Sequence, residues 1–302
     1  MIKKILVSVL SLSLLMSLTA CKSKTASSAE AGKIQVSVSF NALKEFTQAV
    51  GGDKVNISTI IPDGTEPHDF EPKAQDLVGL SKAQVFVYNG LEMEAWEKDA
   101  VNAANNGSLV VVDASKGITP IANTDEELKE THGQYDPHIW LSLKCAETEV
   151  TNIKDALVFA DPDNKDFYES NCTAYIAQLK NLYNVYSIKF NSTERKSFVT
   201  GHAAFAYLCR DFGLHQNSVE DVFAEGEPSA QQLTELVQYC KSNNVTTIFS
   251  EELGSPEVAE TLAGEVGAKV VTIYTIESAE DGKTYLERMN DNLSKIYDSL
   301  SE

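Results

Sequence analysis

Three histidines that lie far apart along the chain are candidates to bind one divalent metal ion. Their local sequences are IIPDGTEPHDFEP around His68, YDPHIWL around His138 and SFVTGH ending at His202. Each of them follows an apolar segment or stands beside a proline. Pro67 keeps the preceding residue extended and keeps this loop out of a helix. A stiff loop that leaves a buried strand can hold one imidazole in one orientation, and neutral imidazole is a common metal ligand.

The elements that position these residues alternate between strands and helices. In the first half, apolar runs predict strands over 34–40, 55–61, 84–88 and 109–112, and helical patterns cover 42–50, 74–81 and 92–105. The run at 109–112 is nearly all apolar, so we expect it to be buried on both faces. Residues 115–134 lack apolar periodicity and read as an exposed acidic loop. Such alternation indicates a parallel sheet wrapped by helices.

The second half repeats this pattern after a long helix. A helix over 145–159 is followed by one over 163–190, which is introduced by Asp161-Pro162-Asp163 and suits a rod between two lobes. Further strands are predicted at 198–200, 245–249 and 269–274, with helices at 203–211, from Pro228, at 256–266 and at 284–300. The fold class is therefore α/β, with two lobes facing each other across a cleft. Carboxyl ends of parallel strands line such a crevice, so distant histidines can meet there.

The amino terminus predicts export. Met1 to Lys4 is basic, Ile5 to Leu18 is apolar but too short to span a bilayer, and Leu-Thr-Ala then precedes Cys21. This junction resembles the lipobox of bacterial lipoproteins, which implies cleavage before Cys21 and its lipidation. The alternative is an ordinary signal peptide with an incidental cysteine. Several acyl chains would anchor the protein firmly to a membrane surface.

We accordingly expect five segments along the chain. They are a signal peptide (1–20), a flexible tether (21–32), an amino-terminal lobe (33–160), a linking helix (161–192) and a carboxyl-terminal lobe (193–302).

Charge and cysteine content restrict the partners and the chemistry. The 302 residues carry a formal charge of −19, which argues against nucleic acid as a partner and suits either cation handling or solubility alone. Cysteines beyond Cys21 could pair within each half, as Cys145 with Cys172 and Cys209 with Cys240, or could all be buried free thiols. None has CxxC spacing, so a thiolate metal site is not expected.

Several motifs resemble the zinc- and manganese-binding solute-binding lipoproteins of bacterial ABC transporters, and the zinc-uptake members most of all. The matching stretches are IIPDGTEPHDFEP, VYNGLEMEAW, DPHIWL, VTGHAAFAYLCRDFGL, AEGEPSAQQL and IYTIES. The resemblance covers about residues 33–302. It implies two α/β lobes joined by one rigid helix, with a single metal at their interface. The implied ligands are His68 and His138 from the first lobe, His202 from the second, and a carboxylate near the last strand.

Glu277 occupies the carboxylate position, where many relatives have aspartate. The alternatives for this fourth ligand are Glu251, Glu252 and water. Three imidazoles with a carboxylate suit zinc, whereas manganese-binding relatives usually have a carboxylate at the position of His202. Zinc-specific relatives often have a long histidine-rich loop before His138, but here that loop has only His132, read as a weak collector or a solvated side chain.

The resemblance implies a non-enzymatic protein that passes zinc to a permease and its ATPase from outside the plasma membrane or within the periplasm. We expect the protein to be a monomer. Rival hypotheses are a manganese-preferring protein of the same type, a zinc hydrolase and a surface adhesin. HExxH and HxH motifs are absent from the sequence, which weighs against the hydrolase. We expect His215 to be structural or on the surface.

Overall fold

The chain between Ile34 and Asp113 builds a parallel sheet. The computed structural model describes residues 32–123, 129, 133–222, 229–279 and 281–302. The strands of this first sheet are β1 (Ile34–Val38), β2 (Val55–Thr59), β3 (Val85–Tyr88) and β4 (Val110–Asp113), in the order β2-β1-β3-β4 with every pair parallel. Helix α1 (Asn41–Gly51) connects β1 to β2, and α2 (Glu97–Ala104) connects β3 to β4. All four strands therefore end at one edge of the sheet.

Two helices follow and lead to the second half of the chain. Ser142 caps α3 (Leu143–Ala160), because its side chain accepts a hydrogen bond from the Cys145 N–H. After the short turn Pro162–Asn164, α4 (Lys165–Asn191) runs for 27 residues and packs against α3. At 1.5 Å per residue, α4 is about 40 Å long.

The second sheet repeats the topology of the first. Its strands are β5 (Ser197–Thr200), β6 (His215–Ser218), β7 (Thr247–Glu251) and β8 (Lys269–Ile273), parallel and in the order β6-β5-β7-β8. Its helices are α5 (Ala206–Phe212), α6 (Ala230–Ser242), α7 (Glu257–Val266) and α8 (Tyr285–Ser301). Capping boxes at Ser229 and Thr284 fix the starts of α6 and α8. The predicted fold class is confirmed.

Trp140 packs at the junction between the parts of the chain that carry the two sheets. Its side chain is fully buried and meets Phe40 edge-on with ring centroids 4.7 Å apart. The indole N–H donates to the carbonyl of Thr275, and the Tyr285 hydroxyl donates to the carbonyl of Trp140. These contacts tie the loop after β8 and the start of α8 to the segment that follows His138.

Local hydrogen bonds and sheet edges overturn several predicted boundaries. The helix predicted from Glu92 begins only at Glu97, because Leu91 and Glu92 adopt left-handed φ values of 53° and 67° and the Glu94 carboxylate accepts from the backbone of Asn89. Residues 74–81 form two 3-10 turns (Asp76–Val78 and Leu80–Lys82) instead of one helix. Neither turn extends further, and Gly79 between them packs close to the sheet.

The edges of the two sheets account for two further differences. Val111 is 42% exposed, because β4 is an edge strand and is not covered on both faces. Strand β6 has no apolar alternation and was not predicted; pairing with β5 specifies it. His215, its first residue, is exposed, as expected of a surface position.

The structure distinguishes between the two expectations for the cysteines, disulfide pairs and buried free thiols. Cys145, Cys172, Cys209 and Cys240 are all free and buried, so the predicted disulfide pairs are wrong and the alternative of buried thiols is correct. Burial raises the pKa of each of these thiols, which keeps them protonated. Among the described residues, no helix is both long and apolar enough to cross a membrane.

The two faces of α4 provide a test of its packing. Leu179 is fully buried in the core, whereas Ile188 on the same helix is 74% exposed. We expect Leu179→Ala to lower the free energy of unfolding by about 2–5 kcal/mol. Ile188→Ala, the matched control, should change it by less than about 0.5 kcal/mol. Urea unfolding of the two variants measures the difference, and equal losses would contradict the assigned faces.

Candidate metal centre

His68 is held by the loop that leaves β2. The backbone N–H groups of Ile60 and Ile61 donate to the carbonyls of Val38 and Ser39, so the sheet extends to the start of the loop. The N–H of His68 donates to Glu66 Oε1 at 3.3 Å. His68 is partly exposed, unlike the other members of the site.

His138 is completely buried and is held by a residue close to it in sequence. Asp136 Oδ1 accepts both the His138 backbone N–H, at 2.8 Å, and Nδ1–H, at 2.9 Å. A neutral imidazole that donates from Nδ1 has its lone pair on Nε2, so this carboxylate aims Nε2 as an acceptor or metal ligand. The Asn89 side chain adds a hydrogen bond to the carbonyl of Pro137.

His202 follows β5 and reaches the same place from the second sheet. Its backbone N–H donates to Glu251 Oε1 at 3.2 Å, and its carbonyl accepts from Thr200 and Gln216. Burial, followed by the nearby His138 ring, lowers the pKa of His202 well below its usual value. The ring is therefore neutral at physiological pH, as a metal ligand must be.

Glu277 lies in the loop after β8 and is also buried. Its Oε2 accepts from the Thr275 hydroxyl at 2.9 Å, whereas no described residue donates a hydrogen bond to its buried Oε1. Burial, then the charges of Glu66 and Glu252, raise the pKa of Glu277 well above its usual value. A buried acceptor atom without a donor destabilises the fold unless a donor or a cation interacts with it.

The four side chains converge on one small volume. His138 Nε2 lies 3.1 Å from His68 Nε2, 3.3 Å from His202 Nε2 and 3.9 Å from Glu277 Oε1. One ligand atom from each of the four residues lies within 4.8 Å of all the others. Tetrahedral ligands at zinc-nitrogen distances of about 2.0–2.1 Å are about 3.3 Å apart, so this cluster has the dimensions of a zinc site.

The other candidates for the fourth ligand are engaged elsewhere. Both oxygens of Glu252 accept backbone N–H groups, from Thr275 and Ile276. Glu251 accepts from the backbone of His202, and its carboxylate lies 3.9 Å from His202 Nδ1, on the side of the ring away from the cluster. The structure thus brings Glu277, and neither of these two residues, into the group with the three histidines.

Comparison with known proteins identifies the family. The model of the family described as "Zinc-uptake complex component A periplasmic" matches residues 36–299. The chain belongs to this family.

Relatives of this zinc-uptake family match almost the whole chain. A Treponema pallidum protein named for metal binding is 47% identical over 89% of this chain and 88% of its own length. The high-affinity zinc uptake system protein ZnuA of Bacillus subtilis is 38% identical over 92% and 91%. The laminin-binding protein of Streptococcus agalactiae, described as both adhesin and metal transporter, superposes with a TM-score of 0.80 at 36% identity, covering 88% of this chain and 99% of that one.

Sequence reasoning proposed the three histidines, with Glu277 as one of several candidates for the fourth ligand, but it missed the residues that orient them. Asp136 stands two residues before His138, and this short spacing was the available signal. Glu251 and Glu252 were considered only as ligands, although their hydrogen bonds are to backbone. The roles suggested for His132 and Cys21 concern residues that lie outside those the structure describes.

The buried carboxyl of Glu251 should make stability depend on pH. Burial raises its pKa to about 8, above the 4.5 expected when unfolded, so the folded state binds more protons between these values. Its contribution to stability is therefore present below pH 4.5 and is lost as pH rises towards 8, by at most about 1.4 kcal/mol per pH unit.

Glu251→Gln removes this titration. We expect the variant to gain stability relative to the wild type between pH 5 and pH 8, when both are unfolded with urea in the presence of a chelator. A stability difference that stays constant with pH would show that Glu251 titrates normally.

Proposed function

We propose that the protein captures zinc outside the cell and delivers it to an ABC permease that is driven by an ATPase. The convergence of His68, His138, His202 and Glu277 within 4.8 Å carries this proposal. The zinc-uptake family and the ZnuA relative support zinc as cargo and the transporter as partner. The family's name also agrees with a non-enzymatic role. A carboxylate in the fourth position argues against a zinc hydrolase, which needs a position open to water.

Zinc is favoured over manganese by the chemistry of the donors. Three neutral imidazoles suit a borderline-soft ion, whereas manganese prefers more oxygen ligands. The carboxylates of Glu66, Glu251, Glu252 and Glu277 surround the site, and their charge when ionised would attract a cation. Burial raises the pKa of Glu277, so its carboxyl favours the protonated form when no cation is bound and should release this proton when zinc binds.

We further propose the cellular setting and the domain division. Cleavage before Cys21 and its lipidation would anchor the protein to the outer face of the plasma membrane, through a tether over residues 21–32. The mature chain would act as a monomer with lobes at 33–160 and 193–302, linked by the helix at 161–192. The rigid α4 favours small shifts of lobes or loops over wide hinge closure during release.

A second candidate function is adhesion. The Streptococcus agalactiae relative, which is described as an adhesin as well as a transporter, supports it. Binding of this protein to immobilised laminin that survives substitution of all three histidines would establish adhesion as separate from zinc capture.

Histidine substitutions test the site. We expect His138→Ala to weaken zinc binding the most, because its ring is fully buried and Asp136 fixes the direction of its Nε2. His68→Ala and His202→Ala should weaken binding by at least about tenfold. Competition with a chromophoric chelator measures the affinities, and His215→Ala, at an exposed position, is the matched control. Zinc affinity that is unchanged in the three site variants would refute the proposal.

Metal preference is tested by direct competition. At equal free concentrations of zinc and manganese, we expect elemental analysis to find zinc in the wild-type protein, because its ligand set has three nitrogens. His202→Asp should shift the preference towards manganese by replacing an imidazole with a harder ligand. Predominant manganese in the wild type would favour the manganese-transport alternative instead.

A further inference from the structure

Ile276 has a strained backbone immediately before Glu277. Its φ is 63°, in the left-handed region, and its side chain is fully buried. A branched Cβ makes this conformation unfavourable, so it persists only where the surroundings hold it. The residues that hold this conformation also decide where the Glu277 carboxyl points, because Glu277 is the next residue.

Glu252 holds the N–H side of this loop. Its Oε2 accepts the N–H of Thr275 at 2.9 Å, and its Oε1 accepts the N–H of Ile276 at 3.1 Å. Glu252 directly follows β7, so the bond pair comes from within the second sheet's half of the chain. Two neighbouring N–H groups are thereby directed to one carboxylate.

Asn41 holds the carbonyl side from the other half of the molecule. It is the first residue of α1 and is 1% exposed. Its side-chain Nδ2 donates to Glu45 Oε1 at 3.0 Å and to the carbonyl of Ser278 at 3.2 Å, and the carbonyl of Ile276 lies 3.5 Å away. The backbone N–H of Asn41 donates to the carbonyl of Glu277 at 3.4 Å. The loop is thus held on both sides.

We propose that Glu252 and Asn41 are positioning residues that form a clamp on residues 275–278, keep Ile276 left-handed and thereby place the Glu277 carboxyl beside the three imidazoles. This inference rests on the proposed function, because it takes zinc as the ligand of the cluster. The two clamp residues come from opposite halves of the chain. A displacement between those halves would therefore loosen the clamp and withdraw the carboxylate from the metal.

A double-mutant cycle tests the clamp. Glu252→Gln keeps the size of the side chain but leaves one acceptor oxygen for two N–H groups. Asn41→Ala removes the Nδ2 donor to the carbonyls of Ile276 and Ser278, together with its bond to Glu45. We expect each to weaken zinc binding about 10–100-fold, the range for residues that orient ligands. In a Glu277→Ala background, each should cost less than about twofold, because the residue that the clamp positions is gone.

The matched control is Asn152→Ala. Like Asn41, Asn152 donates to two backbone carbonyls, those of Ala114 and Lys116, both at 2.9 Å, but it lies outside the site. Its removal should leave zinc affinity unchanged within about twofold. A loss equal to that of Asn41→Ala would mean that any lost asparagine brace weakens binding, and would overturn the specific role of the clamp.

Hydrogen exchange gives a readout that does not depend on zinc. In chelator-treated protein, the amides of Thr275 and Ile276 should exchange about tenfold faster or more in Glu252→Gln, while amides in the middle of β7 keep their protection. Unchanged exchange at both positions would overturn the clamp even where the variant binds zinc weakly.

The outcomes separate the clamp from the proposed function. Should His138→Ala bind zinc as well as the wild type, the proposed zinc site itself would fail. Should His138→Ala lose zinc while Glu252→Gln costs the same with and without Glu277, the site would stand and the clamp would be wrong.

Discussion

The position of one imidazole, that of His138, governs the candidate site. Its Nε2 lies within hydrogen-bond range of His68 Nε2 and of His202 Nε2, and Glu277 approaches the same atom. The ring cannot turn freely, because Asp136 accepts from both its backbone and its Nδ1 and the side chain is fully buried. The other three ligand groups must be brought to this fixed atom from separate loops, which places a geometric demand on the whole fold.

The two parallel sheets meet this demand because, within each sheet, the carboxyl ends of all four strands lie at the same edge. The loops after β2 and β5 carry His68 and His202, and the loop after β8 carries Glu277. Trp140 joins the segment after His138 to the loop after β8 through Thr275 and to the start of α8 through Tyr285. The architecture thus converts large distances along the chain into distances of a few ångströms.

Burial gives this group of residues its chemical character. Removal from water lowers the pKa of His202 and raises that of Glu277, so both favour their uncharged forms. A cation reverses the balance for the carboxyl, because its charge offsets the cost of burying the carboxylate. The strained, doubly held backbone before Glu277 fits the same scheme, in which ligands are positioned before the ion arrives.

Local sequence determined the strand and helix alternation, the two α/β halves, the long helix and the stiff loops around three histidines. These features depend on periodicity, proline and glycine, which act over a few residues. Family resemblance, and no spacing rule, pointed to Glu277.

Only the tertiary structure decided that the three Nε2 atoms meet, that Glu277 joins them while Glu252 binds backbone, and that the cysteines remain thiols. It also made a strand of the polar segment His215–Ser218 and a left-handed residue of Ile276. The physical reason is that these outcomes depend on partners outside the local segment. Asn41, for example, lies 237 residues before Ser278 in the Glu277 loop. Packing between distant segments selects these partners, and no local pattern encodes it.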